Sequence, residues 1–227
     1  MTPVATANLG SRSDDVVLRG LLLLSEQVDA IGVQESGDRL HLIARFCKTT
    51  GWRVFFGDLD GSASVAILWN PKKGVVSQQA TRPATEATDC GKCGAGPNKV
   101  KAKVWNKVRF HPKNGDESFV FINGHLPASL YCKCRKRLGK EMIGELADMF
   151  ERREGRIRVV AVCDGNSFSW MPIWKPVRKT GAKQWVKFPT LRLRSIDQMW
   201  TLGVKRAKAK RFKKKFSDHR WVILQVF

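Results

Sequence analysis

The chain has 227 residues, enough for one large domain or two small ones, and 43% of them are apolar, enough for a sizeable core. Its 41 Lys and Arg stand against 20 Asp and Glu, a formal net charge of +21. Such self-repulsion points to a polyanionic partner, nucleic acid before an anionic membrane surface. No run of about 18 apolar residues exists to span a membrane, and no basic start followed by an apolar stretch marks a signal peptide. The chain is expected to be cytoplasmic, with its six cysteines as thiols or metal ligands rather than disulfides.

Residues 4–9 form a short apolar strand that ends in Asn8, Leu9 and Gly10. Residues 14–27 set Val16, Val17, Leu21 and Leu24 at helical spacing behind Asp14 and Asp15, acids that suit a helix N-terminus. Residues 28–34, VDAIGVQ, read as a second buried strand ending on Glu35. A helix over residues 39–50 turns Leu42, Ile43 and Phe46 inward and stops at Gly51. Residues 52–56 and 65–69 read as a strand hairpin, and residues 72–103 are weakly patterned. Strands at 104–110 and 118–123 flank a turn at 113–116, and the second runs into Gly124 and His125. Residues 138–152 are an amphipathic helix with Met142, Ile143, Leu146, Met149 and Phe150 on one side.

The run RVVAVCDGNSF, residues 158–168, changes character within one residue: the buried strand Val159–Val162 gives way to the turn formers Asp164, Gly165 and Asn166. Residues 169–193 are loop-like, with Trp170, Trp174, Trp185 and Phe188 among Lys and Arg. Residues 196–202 are a strand carrying Asp197, residues 205–215 are almost wholly basic, and residues 221–227 are a final strand introduced by Ser217, Asp218 and His219. With no linker and no internal repeat, the pattern predicts a single domain over residues 1–227 with a mixed α/β layered fold.

Asn8, Glu35, His125, Asp164 with Asn166, and Asp218 with His219 each close or introduce a predicted strand, and Asp197 lies within another. Such recurrence suits a site assembled along one rim of a sheet. Carboxylates are ligands for Mg²⁺ or Mn²⁺, amides orient a phosphate, and histidines serve proton transfer or charge stabilisation. No Gly-rich phosphate loop and no Ser or Cys beside a His is evident, so metal-assisted attack of water on phosphorus fits these residues.

The pieces TANLG, VQES, SVAILWNP, FINGHL, VAVCDGNSF, RSIDQMW and SDHRWVI occur in the order found in the endonuclease/exonuclease/phosphatase superfamily, which the chain resembles over almost its whole length. The resemblance implies a DNase I-like four-layer sandwich: two face-to-face mixed β-sheets flanked by helices, with the site at one end. It implies Glu35 as principal metal ligand, with Asp218 and Asn8 assisting. Asp164 would hold or deprotonate the attacking water, and Asn166 and His125 would grip the scissile phosphate. His219, supported by Asp197, would stabilise the transition state. The chain departs from repair endonucleases of this kind at Gly10, where they often carry an acid, and from DNases at Gly37, where they carry Arg.

The expected activity is Mg²⁺-dependent hydrolysis of DNA. The alternatives are a phosphatase or phospholipase acting on anionic lipid head groups, and a basic nucleic-acid-binding protein with decayed catalysis. Lys205, Arg206, Lys208, Lys210, Arg211, Lys213, Lys214 and Lys215 precede the Asp218–His219 pair and would steer a polyanion. Trp170 and Trp174 would stack on bases. Cys90, Cys93, Cys132 and Cys134 form C-x2-C and C-x-C pairs that could hold a structural Zn²⁺.

Overall fold

β-Branched, apolar runs too short for a helix become strands, and among the described residues the strands pair into two six-stranded mixed sheets and a small ribbon. The computed structural model describes all residues except 60, 62–63, 92–98, 129–131, 154–156, 169, 191–196 and 213–215. The first sheet contains β1 (Thr2–Asn8), β2 (Ala30–Gln34), β3 (Arg53–Phe55), β4 (Val65–Trp69), β13 (Ala207–Arg211) and β14 (Val222–Val226). Their spatial order is β13-β14-β1-β2-β4-β3. The second contains β5 (Gly74–Thr85), β8 (Lys103–Pro112), β9 (Phe119–His125), β10 (Arg158–Asp164), β11 (Lys183–Gln184) and β12 (Asp197–Leu202), in the order β11-β12-β10-β9-β8-β5. The ribbon pairs β6 (Thr88–Asp89) with β7 (Lys99–Val100).

Alternation sorts the side chains into layers. Val4 of β1, Ala30 of β2, Phe121 of β9, Val160 and Val162 of β10 and Leu224 of β14 meet between the sheets. Ala5, Ala7, Ile31 and Ile223 face outward under α1 (Asp14–Ser25) and α2 (Leu40–Thr50). Ile122, Val159, Ala161 and Trp200 face outward under α3 (Lys133–Glu151) and α4 (Lys175–Lys179). The result is the expected four-layer sandwich.

Polar groups also cross the inter-sheet layer. Asn123 Nδ2 donates to the carbonyls of Val33 and Ala66, both at 2.8 Å, and Gln34 Nε2 donates to Asn123 Oδ1. Asn106 Nδ2 likewise reaches the carbonyls of Phe56 and Val65. Close approach here requires Gly32, because a Cβ at that position would lie 2.3 Å from Val162 Cγ2 and 2.9 Å from Asn123 Oδ1. These bonds tie the second sheet to the first immediately behind the ends of β2 and β9.

Most predicted elements occur within a few residues of their expected bounds, including the Gly51 stop, which has φ 73°. The weakly patterned stretch 72–103 contains the long strand β5, and its edge position explains the weak pattern: Val75 and the whole run Ser77–Ala80 are exposed, so no apolar alternation marks the strand. The basic run is also a strand in part. Ala207 and Ala209 point inward from β13 while Lys208, Lys210 and Arg211 are exposed.

The zinc expectation is overturned. Cys90 and Cys134 form a disulfide, so neither is a free thiolate ligand, and Cys132 is disulfide-bonded as well. Cys93 lies outside the described residues. The disulfide also runs against the expectation of reduced thiols. No helix is long and apolar enough to cross a membrane, among the described residues.

Asn123→Ala would strand two carbonyls and the Gln34 amide in a buried layer. It should cost about 3 kcal/mol of unfolding free energy in urea titrations. A loss under about 1 kcal/mol would show that the inter-sheet bonds do not set the sandwich.

Candidate active site

Strand register assembles half of the site. β10 pairs in parallel with β9 and antiparallel with β12, and these ladders place Asp164 opposite both His125 and Asp197. All three belong to the inward-facing set of their strands, so they form one row at the rim of the second sheet. His125 Nε2 lies 3.6 Å from Asp164 Oδ2, and both oxygens of Asp197 lie 3.1 Å from His219 Nδ1. His219 Nδ1 is also 3.8 Å from Asp164 Oδ2.

The first sheet supplies the facing half. Parallel pairing of β1 and β2 sets Asn8 beside Gln34, one residue before Glu35. Continued alternation would send residue 35 to the outer face. Instead Glu35 takes φ 58°, a conformation a non-glycine residue seldom adopts, and its carboxylate returns toward Asn8. Asn8 Nδ2 then donates at 3.0 Å to both Glu35 Oε1 and Asp164 Oδ2, so one buried amide joins carboxylates from the two sheets. Its Oδ1 accepts the Gly10 N–H at 2.8 Å. Asn8 therefore clamps the two carboxylates through its amide nitrogen.

Asn166, at φ 44°, is the other non-glycine residue with positive φ among the described residues. Its N–H donates to Asp164 Oδ1 and its side-chain amide to the Leu126 carbonyl, which ties the turn after β10 to the end of β9. Asp218 does not join the carboxylates that converge with Glu35 among the described residues. Its Oδ1 accepts the Ser217 hydroxyl at 3.0 Å and sits over Gly10, where a Cβ would be 1.8 Å away. Gly10 is thus required both by that approach and by its φ of 56°. The departure from an acid at this position has a local steric cause.

Burial and charge set the protonation states. Burial, with Asp197 beside it, raises the Asp164 pKa to about 7 against the opposing pull of His219 and the Asn166 N–H. Burial works against a charge on His219, but the Asp197 hydrogen bond and the charges of Asp197, Asp164 and Asp218 outweigh it and raise its pKa to about 9. Burial, helped by Lys103 and His219, holds His125 well below the usual histidine range. Burial also tends to raise Asp218, yet His219 and hydrogen bonds from Ser217 and backbone N–H groups bring it below the usual carboxylate value.

Lys103, at the start of β8, is a site residue that sequence reading passed over. Its pKa is lowered by burial and sustained by the charges of Asp164 and Glu35, so its ammonium lies in the field of both. Nothing in the sequence distinguishes it from the 40 other Lys and Arg of the chain. Trp174 is a correction: it is fully buried, stacked on Trp200 at 5.4 Å, and donates to Ser167 Oγ, so it supports the turn after Asp164 and cannot stack on a base. Trp170 is 72% exposed and stacks on Phe168 at 5.5 Å. Lys205, Arg206, Lys208, Lys210 and Arg211 are exposed, while Lys213, Lys214 and Lys215 lie outside the described residues. Register carries this stripe toward the site: Arg211 pairs with Val222, itself paired with Thr6 two residues before Asn8.

Ligand atoms of Glu35, His125 and Asp164 lie within 4.8 Å of one another, as do those of Asp164, Asp197 and His219. Two carboxylates drawn together by a neutral amide, with a third beside them, fit a hard divalent cation.

A pH test follows from His219. Its pKa is raised on folding, so its charged form stabilises the fold fully below about pH 6.5 and the contribution fades as pH rises through about 9. Wild type should lose on the order of 2–3 kcal/mol relative to His219→Gln between those limits in urea unfolding. Parallel profiles for the two proteins would remove the charged His219–Asp197 pair.

No family model and no curated relative matches the chain by sequence. Solved structures do. A mannosyl-6-phosphatase of Bacteroides thetaiotaomicron aligns over 100% of both chains with a TM-score of 0.74 at 17% identity. An endonuclease/exonuclease/phosphatase protein of Bacteroides vulgatus aligns over 100% of this chain and 99% of its own, with a TM-score of 0.75 at 14% identity. D. rerio TDP2, complexed with single-strand DNA product, covers 98% of this chain and 97% of its own, with a TM-score of 0.67 at 12% identity. The chain has the fold of the endonuclease/exonuclease/phosphatase proteins.

Proposed function

We propose that the chain is a divalent-cation-dependent hydrolase of phosphoester bonds, and that its substrate is DNA. The observation that carries the chemistry is the meeting of two rims: Asn8 and Glu35 from one sheet with His125, Asp164 and Asp197 from the other, and His219 between them. A divalent cation held by Glu35 and Asp164 would polarise a phosphoryl oxygen and favour ionisation of a water.

The chain's own groups supply the rest. Asp164, its orientation held by Asn8 and Asn166, is placed to accept a hydrogen bond from the attacking water and orient it. His219 carries a fixed positive charge, oriented by Asp197, toward which negative charge can develop on phosphorus-bound oxygen. Lys103 adds a second cation on the β8 side. His125, kept neutral by burial, can donate or accept a hydrogen bond without adding charge.

DNA as substrate is supported by the net charge of +21 and by the exposed basic stripe on β13 that leads toward the rim. The stacked pair Phe168–Trp170 follows Asn166 closely and offers an exposed π-face to an unpaired base. The similarity to TDP2, complexed with single-strand DNA product, lends the reading further support.

The test is hydrolysis of single-stranded DNA, duplex DNA, RNA and a sugar phosphomonoester, with Mg²⁺ or with chelator. Single-stranded DNA should be cleaved, and chelator should stop the reaction. Glu35→Gln and Asp164→Asn should each lower the rate by roughly 10²–10⁴ while circular dichroism stays native. Trp170→Ala should raise KM for DNA by about tenfold and spare turnover. Full activity in chelator or in Glu35→Gln would refute the chemistry, and faster turnover of the phosphomonoester than of DNA would refute the substrate.

A further inference from the structure

A groove lies between the exposed faces of α3 and α4, in the helical layer outside the second sheet. One wall is a single stripe of α3: Lys136, Lys140, Gly144 and Ala147 recur at three- and four-residue spacing and so share a face. The other wall is the turn Met171–Ile173 followed by α4, with Lys175 and Lys179 about one helical turn apart. The space between them is about 660 Å³. From Lys136 to Glu151, which also lines it, the stripe runs about 22 Å along the helix.

The floor of the groove is apolar. Ala147 and Ile173, both buried, and the half-buried Met171 form it. The lysines are exposed and solvated, so the fold does not need them paired. Their effect is to set the sign of the groove, because cations stand on both walls. The acids Asp148 and Glu151 lie together at the far end of the α3 stripe, and Asp148 is engaged by Arg152 at 3.3 Å. Gly144, in the middle, is not explained by the fold. It is helical, where glycine is the costliest choice short of proline. No described atom lies within 4 Å of the place its Cβ would take. Neither the backbone nor packing among the described residues requires glycine there. A missing side chain at that point lets a second backbone approach α3 closely.

We propose that this groove is a docking surface for an acidic amphipathic helix of a partner protein, its apolar side on Ala147, Met171 and Ile173 and its carboxylates against the two lysine walls. The pairs Lys136–Lys140 and Lys175–Lys179 each span one turn, and acids at the same four-residue spacing on an occupant match them. Both walls are helical, so neither offers an open strand edge to an extended chain, and the matching mode is a helix laid in a groove. A second copy of this chain is a poor occupant, since its own net charge is +21. Nucleic acid fits no better: among the described lining residues no aromatic ring offers a face to a base, and Asp148 and Glu151 repel phosphates at one end. The inference does not depend on what the rim hydrolyses.

The probe is a labelled synthetic peptide of about 16 residues, with Leu and Ala on one face and Glu at four-residue spacing beside them. Its scrambled isomer carries the same charge without the face. Binding to the whole chain is read by fluorescence anisotropy at about 0.15 M salt, which screens non-specific attraction. The patterned peptide should bind at least about tenfold more tightly than the scrambled one. Gly144→Leu fills the groove with a good helix former, so it should keep or raise the melting temperature while weakening binding about tenfold or more. Lys140→Glu combined with Lys175→Glu should weaken binding about tenfold, whereas Lys140→Arg with Lys175→Arg should retain it. Equal binding of the two peptides, or binding that survives both Gly144→Leu and the paired Glu variant, would overturn the proposal. So would attachment to phosphatidylserine vesicles that is lost in Gly144→Leu, with no binding of the peptide, which would assign the groove to a membrane surface.

Discussion

A buried amide between two sheets is the constraint on which the remainder rests. Asn123 donates to the Val33 and Ala66 carbonyls of the opposite sheet and accepts from Gln34. A buried amide left unpaired is costly, so the two sheets pack in the arrangement that satisfies it. That arrangement stacks the end of β9 over the end of β2. It therefore sets His125 and its row across from Glu35 and Asn8. Gly32 is part of the same constraint, because any side chain there would push Val162 and Asn123 away.

From that alignment follow both the strain and the charge of the site. Glu35 and Asn166 hold left-handed backbone conformations at the two rims, and each turns its strand's polar end back into the cleft. Asn8 then bridges Glu35 and Asp164 at 3.0 Å each. Burial first, and then the nearby Asp197 with a smaller contribution from Glu35, raise the Asp164 pKa. His219 and Lys103 offset part of that rise. Such a cluster of carboxylates, with His219 and Lys103 at its sides, could hold a divalent metal.

The sequence carried the strand-end polar residues clearly, because a buried apolar run that ends in Asp, Asn or Glu is conspicuous at residues 8, 35 and 164. It also carried the two main covering helices through their periodicity. What it concealed has physical causes. Lys103 is one cation among many, and only the fold brings it to Asp164. Asn123 and Gln34 read as ordinary polar residues within or beside strands, since a bond between sheets leaves no local pattern. Trp174 ends a three-residue 3₁₀ turn just before the five-residue helix α4, both too short to show a period, and its burial depends on Trp200 far along the chain. The Cys90–Cys134 disulfide joins residues 44 apart, and a C-x2-C motif beside a C-x-C motif does not say which sulfurs meet.

The central claim is that the facing rims form one cation-dependent phosphoester site, and the most direct test is to see where a divalent ion binds. Crystals grown with Mn²⁺ and examined by anomalous diffraction should show a peak against the carboxylates of Glu35 and Asp164. The peak should disappear in Glu35→Gln while the rest of the site is unchanged. A peak elsewhere, or none at saturating Mn²⁺, would contradict the account.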